Sequence, residues 1–196
     1  MQDNLKELQM CELSILKEVV RICNENNLTY YMMGGTFLGA IRHKGFIPWD
    51  DDIDISLSRP QYEKLLKILK EQLPNNYIID NFLINEESLV YATRVEDSNI
   101  KVLDKAANVE RIRNAWIDIF PLDGMPNNAI LRKIHKYKLL YLKLKFEYAT
   151  FSKSVIQNKK HRPIHERFLI FLGNHINFEK ILDKNKCLKA LDKALK

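Results

Sequence analysis

Residues 30–59, YYMMGGTFLGAIRHKGFIPWDDDIDISLSR, constrain this chain more than any other stretch. Tyr30 to Met33 is a compact apolar run, strand-like in length and aromatic content. Gly34-Gly35 breaks it, and a glycine pair lets the backbone take dihedrals closed to other residues and lets a ligand approach. Thr36 to Ile41 has helical spacing, with Phe37, Ala40 and Ile41 able to share a face. A helix starting just after Gly35 turns its free N–H groups and positive dipole end toward whatever lies over the turn, which makes an anion site. Asp52 to Leu57 then reads as an acidic strand. Its carboxylates are two residues apart and leave one face, while Ile53, Ile55 and Leu57 take the other. Paired carboxylates repel each other, and burial sharpens the repulsion. A hard divalent cation relieves it, and Mg²⁺ is habitually held by one or two carboxylates with phosphate oxygens completing the shell. A phosphate turn beside a metal strand points to metal-assisted phosphoryl or nucleotidyl transfer.

The flanks add candidates. Asp50 and Asp51 precede the strand: one of them joins the metal shell or binds its waters, or they are loop charges that orient the motif. Asp50, which shares the parity of Asp52 and Asp54, is the better candidate ligand. Asp50 to Asp54 also mimics the start of a calcium loop, but Ile55 stands where that loop needs Gly and Gln61 where it needs Glu. Arg42, His43 and Lys44 lie between the turn and the strand. One of them, Arg42 first, can neutralise charge on a transferred phosphate. Trp49 reads as a packing residue. Farther on, Trp116 to Phe120 alternates as a strand that puts Trp116, Asp118 and Phe120 on one face. Asp118 is then a third carboxylate, completing a metal site or taking a proton from an acceptor hydroxyl. Asp123, beside Gly124, reads as a turn residue.

Two segments, GGTFLGAIRHKGFIPWDDDIDISLSRPQYEKL and WIDIFPLDG, resemble the signature of the LicD family of phosphotransferases, relatives of fukutin and fukutin-related protein. The resemblance covers roughly residues 5–150. It implies an α/β (α+β) nucleotidyltransferase-like fold, a mixed sheet flanked by helices with a C-terminal helical extension. It also implies transfer, dependent on Mg²⁺ or Mn²⁺, of a phospho-alcohol such as phosphocholine from a CDP-activated donor. The acceptor is a hydroxyl of a cell-surface glycan or glycolipid precursor. In that scheme Asp52, Asp54 and Asp118 are catalytic and, with Asp50, hold the metal. Gly34, Gly35 and Thr36, with Arg42, His43 and Lys44, seat the donor. The same residues suit a nucleotidyltransferase moving a nucleoside monophosphate from an NTP, and a non-catalytic basic binding module is the third reading. Family members run longer, so this chain is expected to be a short or truncated member.

Elsewhere the chain is ordinary for a globular protein, with 46% hydrophobic and 29% charged residues. No apolar run approaches the roughly 20 residues that span a bilayer. The N-terminus has no signal-peptide pattern, and Cys11, Cys23 and Cys187 lack metal-ligand spacing, so a cytoplasmic location is expected. A net charge of +6 favours anionic partners: nucleotides, anionic glycans or the inner face of a membrane. Nucleic acid has no recognisable motif here. Helices are expected over 4–26, 59–72, 129–151, 163–174 and 179–195, and strands over 77–84, 88–95 and 100–104. In the first helix only Glu12 interrupts the stripe Leu5, Leu8, Ile15, Val19, Ile22. Ser58 and Gln61 read as a capping box. Tyr137, Tyr141 and Tyr148 read as core, and the basic residues of 132–145 as a solvated face or a peripheral membrane contact. The division predicted is a catalytic domain over 1–150 and a helical extension over 151–196, with the joint in 151–162.

Overall fold

The computed structural model describes residues 2–104, 111–154 and 163–196. Two compact units result, one of residues 1–103 and 112–123, the other of 104–111 and 124–196. The joint expected within 151–162 falls largely outside the described residues.

The first unit is a five-stranded mixed sheet with helices. In chain order it contains α1 (Gln2–Glu25), β1 (Tyr31–Met32), α2 (Gly34–Arg42), β2 (Asp54–Ser58), α3 (Arg59–Gln72), β3 (Tyr77–Asp80), β4 (Thr93–Asp104) and β5 (Arg111–Leu122). The sheet order is β1-β2-β5-β4-β3. β1 runs antiparallel to β2, β2 parallel to β5, and β3 antiparallel to β4. The central pair reads as alternation demands: Ile53, Ile55, Leu57, Ile117 and Ile119 point into one core. Against them pack Ile15, Val19, Ile22 and Cys23 of α1 and Tyr62, Leu65, Leu66 and Leu69 of α3. These helices therefore cover the apolar face of the sheet and leave Asp54 and Asp118 on the other.

Several local expectations are corrected. α2 begins at the glycine pair itself, with Gly34 at φ +56°. β2 begins at Asp54, because the ladder to β5 opens with Asp118 N donating to Ile53 O, 2.9 Å; Asp52 lies in the loop before it. Ser58 makes no side-chain cap. Gln61 instead accepts from Thr29 N at 2.8 Å, tying α3 to the segment before β1. Phe37 and Ile41 are exposed, and so is Trp49, 76% accessible, which touches only the edge of His43 among the aromatic rings described. Asp123 is no simple turn residue: Arg59 grips it with two hydrogen bonds of 2.7 and 2.5 Å, clasping the end of β2 to the end of β5.

The second unit is helical, with α4 (Ala129–Ala149), α5 (Phe151–Ser154), α6 (Ile164–His175), a 3₁₀ turn (Phe178–Lys180) and α7 (Lys184–Leu195). Tyr148 stacks near Phe151 and Phe178 and donates to Leu169 O, so it is core as expected. Tyr137 and Tyr141 are exposed. No helix among the described residues is long and apolar enough to cross a membrane.

Candidate active site

The site is built where β2 begins and pairs in parallel with the later half of β5. Asp54 on β2 stands in register with Asp118 on β5, so the two carboxylates leave the same face of adjacent strands. The backbone of Asp54 is held on both sides. Its N–H donates to the Thr36 hydroxyl oxygen at 2.8 Å, and its carbonyl accepts from Met33 N at 3.2 Å. Those two bonds fix the first turn of α2 against the acidic strand. The turn is tight: a Cβ placed on Gly34 would lie 3.2 Å from Asp54 Oδ2, and one placed on Gly35 would collide with the Asp50 carboxylate. Glycine is therefore needed twice, for a left-handed φ at Gly34 and for close approach at Gly35. The first N–H groups of α2 have no intrahelical acceptors, so this end of the helix presents donors beside Asp50 and Asp54.

The electrostatics are strained in one direction. Burial, then the charges of Asp52, Asp118 and Asp50, push the Asp54 carboxyl up to about 6, against a smaller opposing pull from Arg94. Burial and the charges of Asp50, Asp51 and Asp118 also raise Asp52. Behind them stands Glu12 of α1, 1% exposed, with an Oε2 that has no hydrogen-bond partner among the described residues. Burial, then Asp52, Asp51, Asp50 and Asp118, push its carboxyl up to about 9. The interruption in the α1 stripe thus marks a buried acid rather than a solvated one.

Asp118 has side-chain partners. Arg94 Nε donates to its Oδ1 at 2.9 Å and the Trp116 indole N–H to its Oδ2 at 3.3 Å. The guanidinium lies 4.8 Å from the Trp116 ring centroid, a cation–π stack. Arg94 carried no signal in the sequence, because the strand around it is irregular and a lone arginine is unremarkable there. Arg42, His43 and Lys44 are placed differently: they are exposed at the C-terminal end of α2, nine residues long, opposite the glycine end. The structure therefore brings together Gly34, Gly35, Thr36, Asp50, Asp52, Asp54 and Asp118, and adds Arg94, Trp116 and Glu12. Among the described residues, no three His, Cys, Asp or Glu side chains form a ready-made metal cluster. The donor set, carboxylates that repel one another beside a helix N-terminus, nevertheless fits a hard cation that takes part of its shell from phosphate.

A family description, the LicD/FKTN/FKRP nucleotidyltransferase domain, matches residues 27–170. The chain belongs to the LicD family. It is similar to the lipopolysaccharide cholinephosphotransferase LicD of Haemophilus influenzae, 30% identical over 162 residues, which is 78% of this chain and 59% of that protein. It is also similar to the human ribitol 5-phosphate transferase FKRP, 24% identical over 127 residues, 63% of this chain and 23% of that protein. The chain spans less than two thirds of the length of either relative. The matched region contains the diglycine turn, the acidic loop, both aspartate strands and Arg94.

Proposed function

We propose that this protein is a phosphotransferase that moves a phospho-alcohol group from a CDP-activated donor to a hydroxyl of a glycan or glycolipid precursor. The carrying observation is the register of Asp54 with Asp118 beside the diglycine start of α2. That arrangement sets acidic groups for a cation against backbone donors for phosphate. The relatives name the chemistry: one transfers cholinephosphate and the other ribitol 5-phosphate.

Asp52 and Asp54 would hold Mg²⁺ or Mn²⁺, with Asp50 next to them. Bound there, the cation supplies charge neutralisation of the pyrophosphate. The chain's own residues do the rest. The N–H groups at Gly34 and Gly35 seat phosphate oxygens, and the Thr36 hydroxyl, already accepting from Asp54 N, keeps its own proton to donate. Arg94 presents a guanidinium to the same face and orients Asp118. Asp118 takes the proton of the acceptor hydroxyl or adds an oxygen to the cation's shell. The acceptor oxygen attacks the phosphorus that carries the alcohol, the bond from that phosphorus to the CMP oxygen breaks, and CMP leaves with the electron pair.

The test is a donor panel. CDP-choline, CDP-ribitol and CDP-glycerol, each with Mg²⁺ and a lipopolysaccharide or teichoic acid precursor, should yield CMP and a phosphodiester on the acceptor, followed by ³¹P NMR. If instead CTP is consumed, pyrophosphate is released and the cytidine stays on the product, the protein is a nucleotidyltransferase.

A further inference from the structure

The acidic loop that carries Asp50 to Asp52 is held from outside the site by α1. Gln9, 7% exposed, reaches across to it with one amide nitrogen. Its Nε2 donates to Asp50 O at 2.8 Å and to Ile47 O at 3.2 Å. Both acceptors are backbone carbonyls, so the amide can take only one orientation: its NH₂ group must face the loop. Two protons on one nitrogen meet two carbonyls, a match that few side chains offer. The two carbonyls bound the tight turn that Asp50 N closes on Ile47 O at 3.0 Å. At its end the Asp50 carboxylate lies against Gly35, and the chain enters β2 at Asp54. One helical turn along α1, on the same face, stands the buried Glu12, whose Oε2 has no hydrogen-bond partner among the described residues, behind the same aspartates.

We propose that α1 is part of the active site, with Gln9 as a positioning residue that holds the 47–50 turn so that Asp50, Asp52 and Asp54 face a divalent cation together. The inference rests on the metal-dependent reading of the site given above. Gln9 touches neither donor nor cation; it acts through the Ile47 and Asp50 carbonyls. An outer-shell partner of this kind typically sets metal affinity by tenfold to a hundredfold. The reason is mutual repulsion: carboxylates that are not fixed spread apart, and the cation must then gather them. Gln9 precedes Asp50 by 41 residues and stands outside the signature stretch, which therefore does not contain the contact that shapes it.

The experiment uses the full chain and two variants, Gln9→Met and Gln9→Ala. Met fills nearly the volume of Gln and has no N–H. Mn²⁺ affinity is measured by electron paramagnetic resonance of the free ion, with and without CDP. Amide hydrogen exchange over 47–54 is followed in EDTA. The expected result is a folded Gln9→Met protein, with exchange faster over 47–54 but unchanged in α3 and β5, and Mn²⁺ bound about tenfold or more weakly. Exchange over 47–54 is the readout that general destabilisation would not single out. Mn²⁺ affinity within about twofold of the parent, or unchanged protection of 47–54, overturns the inference and leaves the functional reading standing. Global unfolding of Gln9→Met also overturns it, since Gln9 would then serve the fold and not the loop. If the parent protein itself binds no Mn²⁺ even with CDP, the functional reading and this inference fall together.

Discussion

At the level of single residues, the site is an imbalance of charge, and among the described residues Arg94 is the cation set against it. Arg94 is paired with Asp118, both side chains mostly shielded from water. Arg94→Met keeps an aliphatic contact with Trp116 but strips Asp118 of its counter-ion. In EDTA that should cost about 1–3 kcal/mol of stability by urea denaturation, the penalty for a hydrogen-bonded charge left alone. Added Mg²⁺ should recover part of the loss, and no difference between EDTA and Mg²⁺ would refute the shared field. Asp54→Asn should lower metal affinity by about 100-fold or more, since even an outer-shell partner is worth up to that. Gly34→Ala meets a left-handed φ and a carboxylate at 3.2 Å. About 1–2 kcal/mol of stability should go with it, read as a lower melting temperature. The aspartates and glycines were legible in the sequence because their spacing has a chemical meaning at short range. Arg94, Gln9 and Trp116 as a donor were not, because each becomes significant only through a partner far along the chain.

At the level of elements, the parallel pairing of β2 with β5 joins residues more than sixty positions apart and sets Asp54 beside Asp118. Alternation foretold both strands and their buried faces, since Ile at every second position leaves little choice. It misplaced the start of β2, because three successive aspartates have no ladder partner until Ile53. The Ser58 cap failed for a similar reason: Gln61 found a better donor in Thr29 N. In α1, Glu12 gives a test by pH. Its carboxyl is pushed up to about 9 in the folded chain, so the folded state keeps a proton that the unfolded state has lost. That contribution is full below the unfolded value, near 4.5, and fades as pH rises through 9. Glu12→Gln should therefore leave stability near pH 4.5 little changed and raise it at pH 8 by roughly 1–3 kcal/mol. Thermal melts of both proteins in EDTA across that window check it, and a gap that does not widen with pH contradicts it.

At the level of the whole molecule, family membership and the mixed sheet agree with what the signature stretch implied. The helical second unit was readable as helix but not in its exposure: Ile130, Ile134, Tyr137 and Tyr141 keep helical spacing yet face solvent, which periodicity alone does not reveal. A nucleotide and cation that bind only the folded state should also stabilise it. CDP at about a hundred times its dissociation constant, with Mg²⁺, adds about 2.7 kcal/mol, visible as a rise in melting temperature that Asp54→Asn abolishes. The most direct examination of the central claim is anomalous diffraction from crystals soaked with Mn²⁺ and CDP. An anomalous peak is expected at Asp52 and Asp54, with the diphosphate lying over Gly34 and Gly35. Ordered Mn²⁺ or CDP bound elsewhere, with those aspartates and glycines untouched, would contradict it.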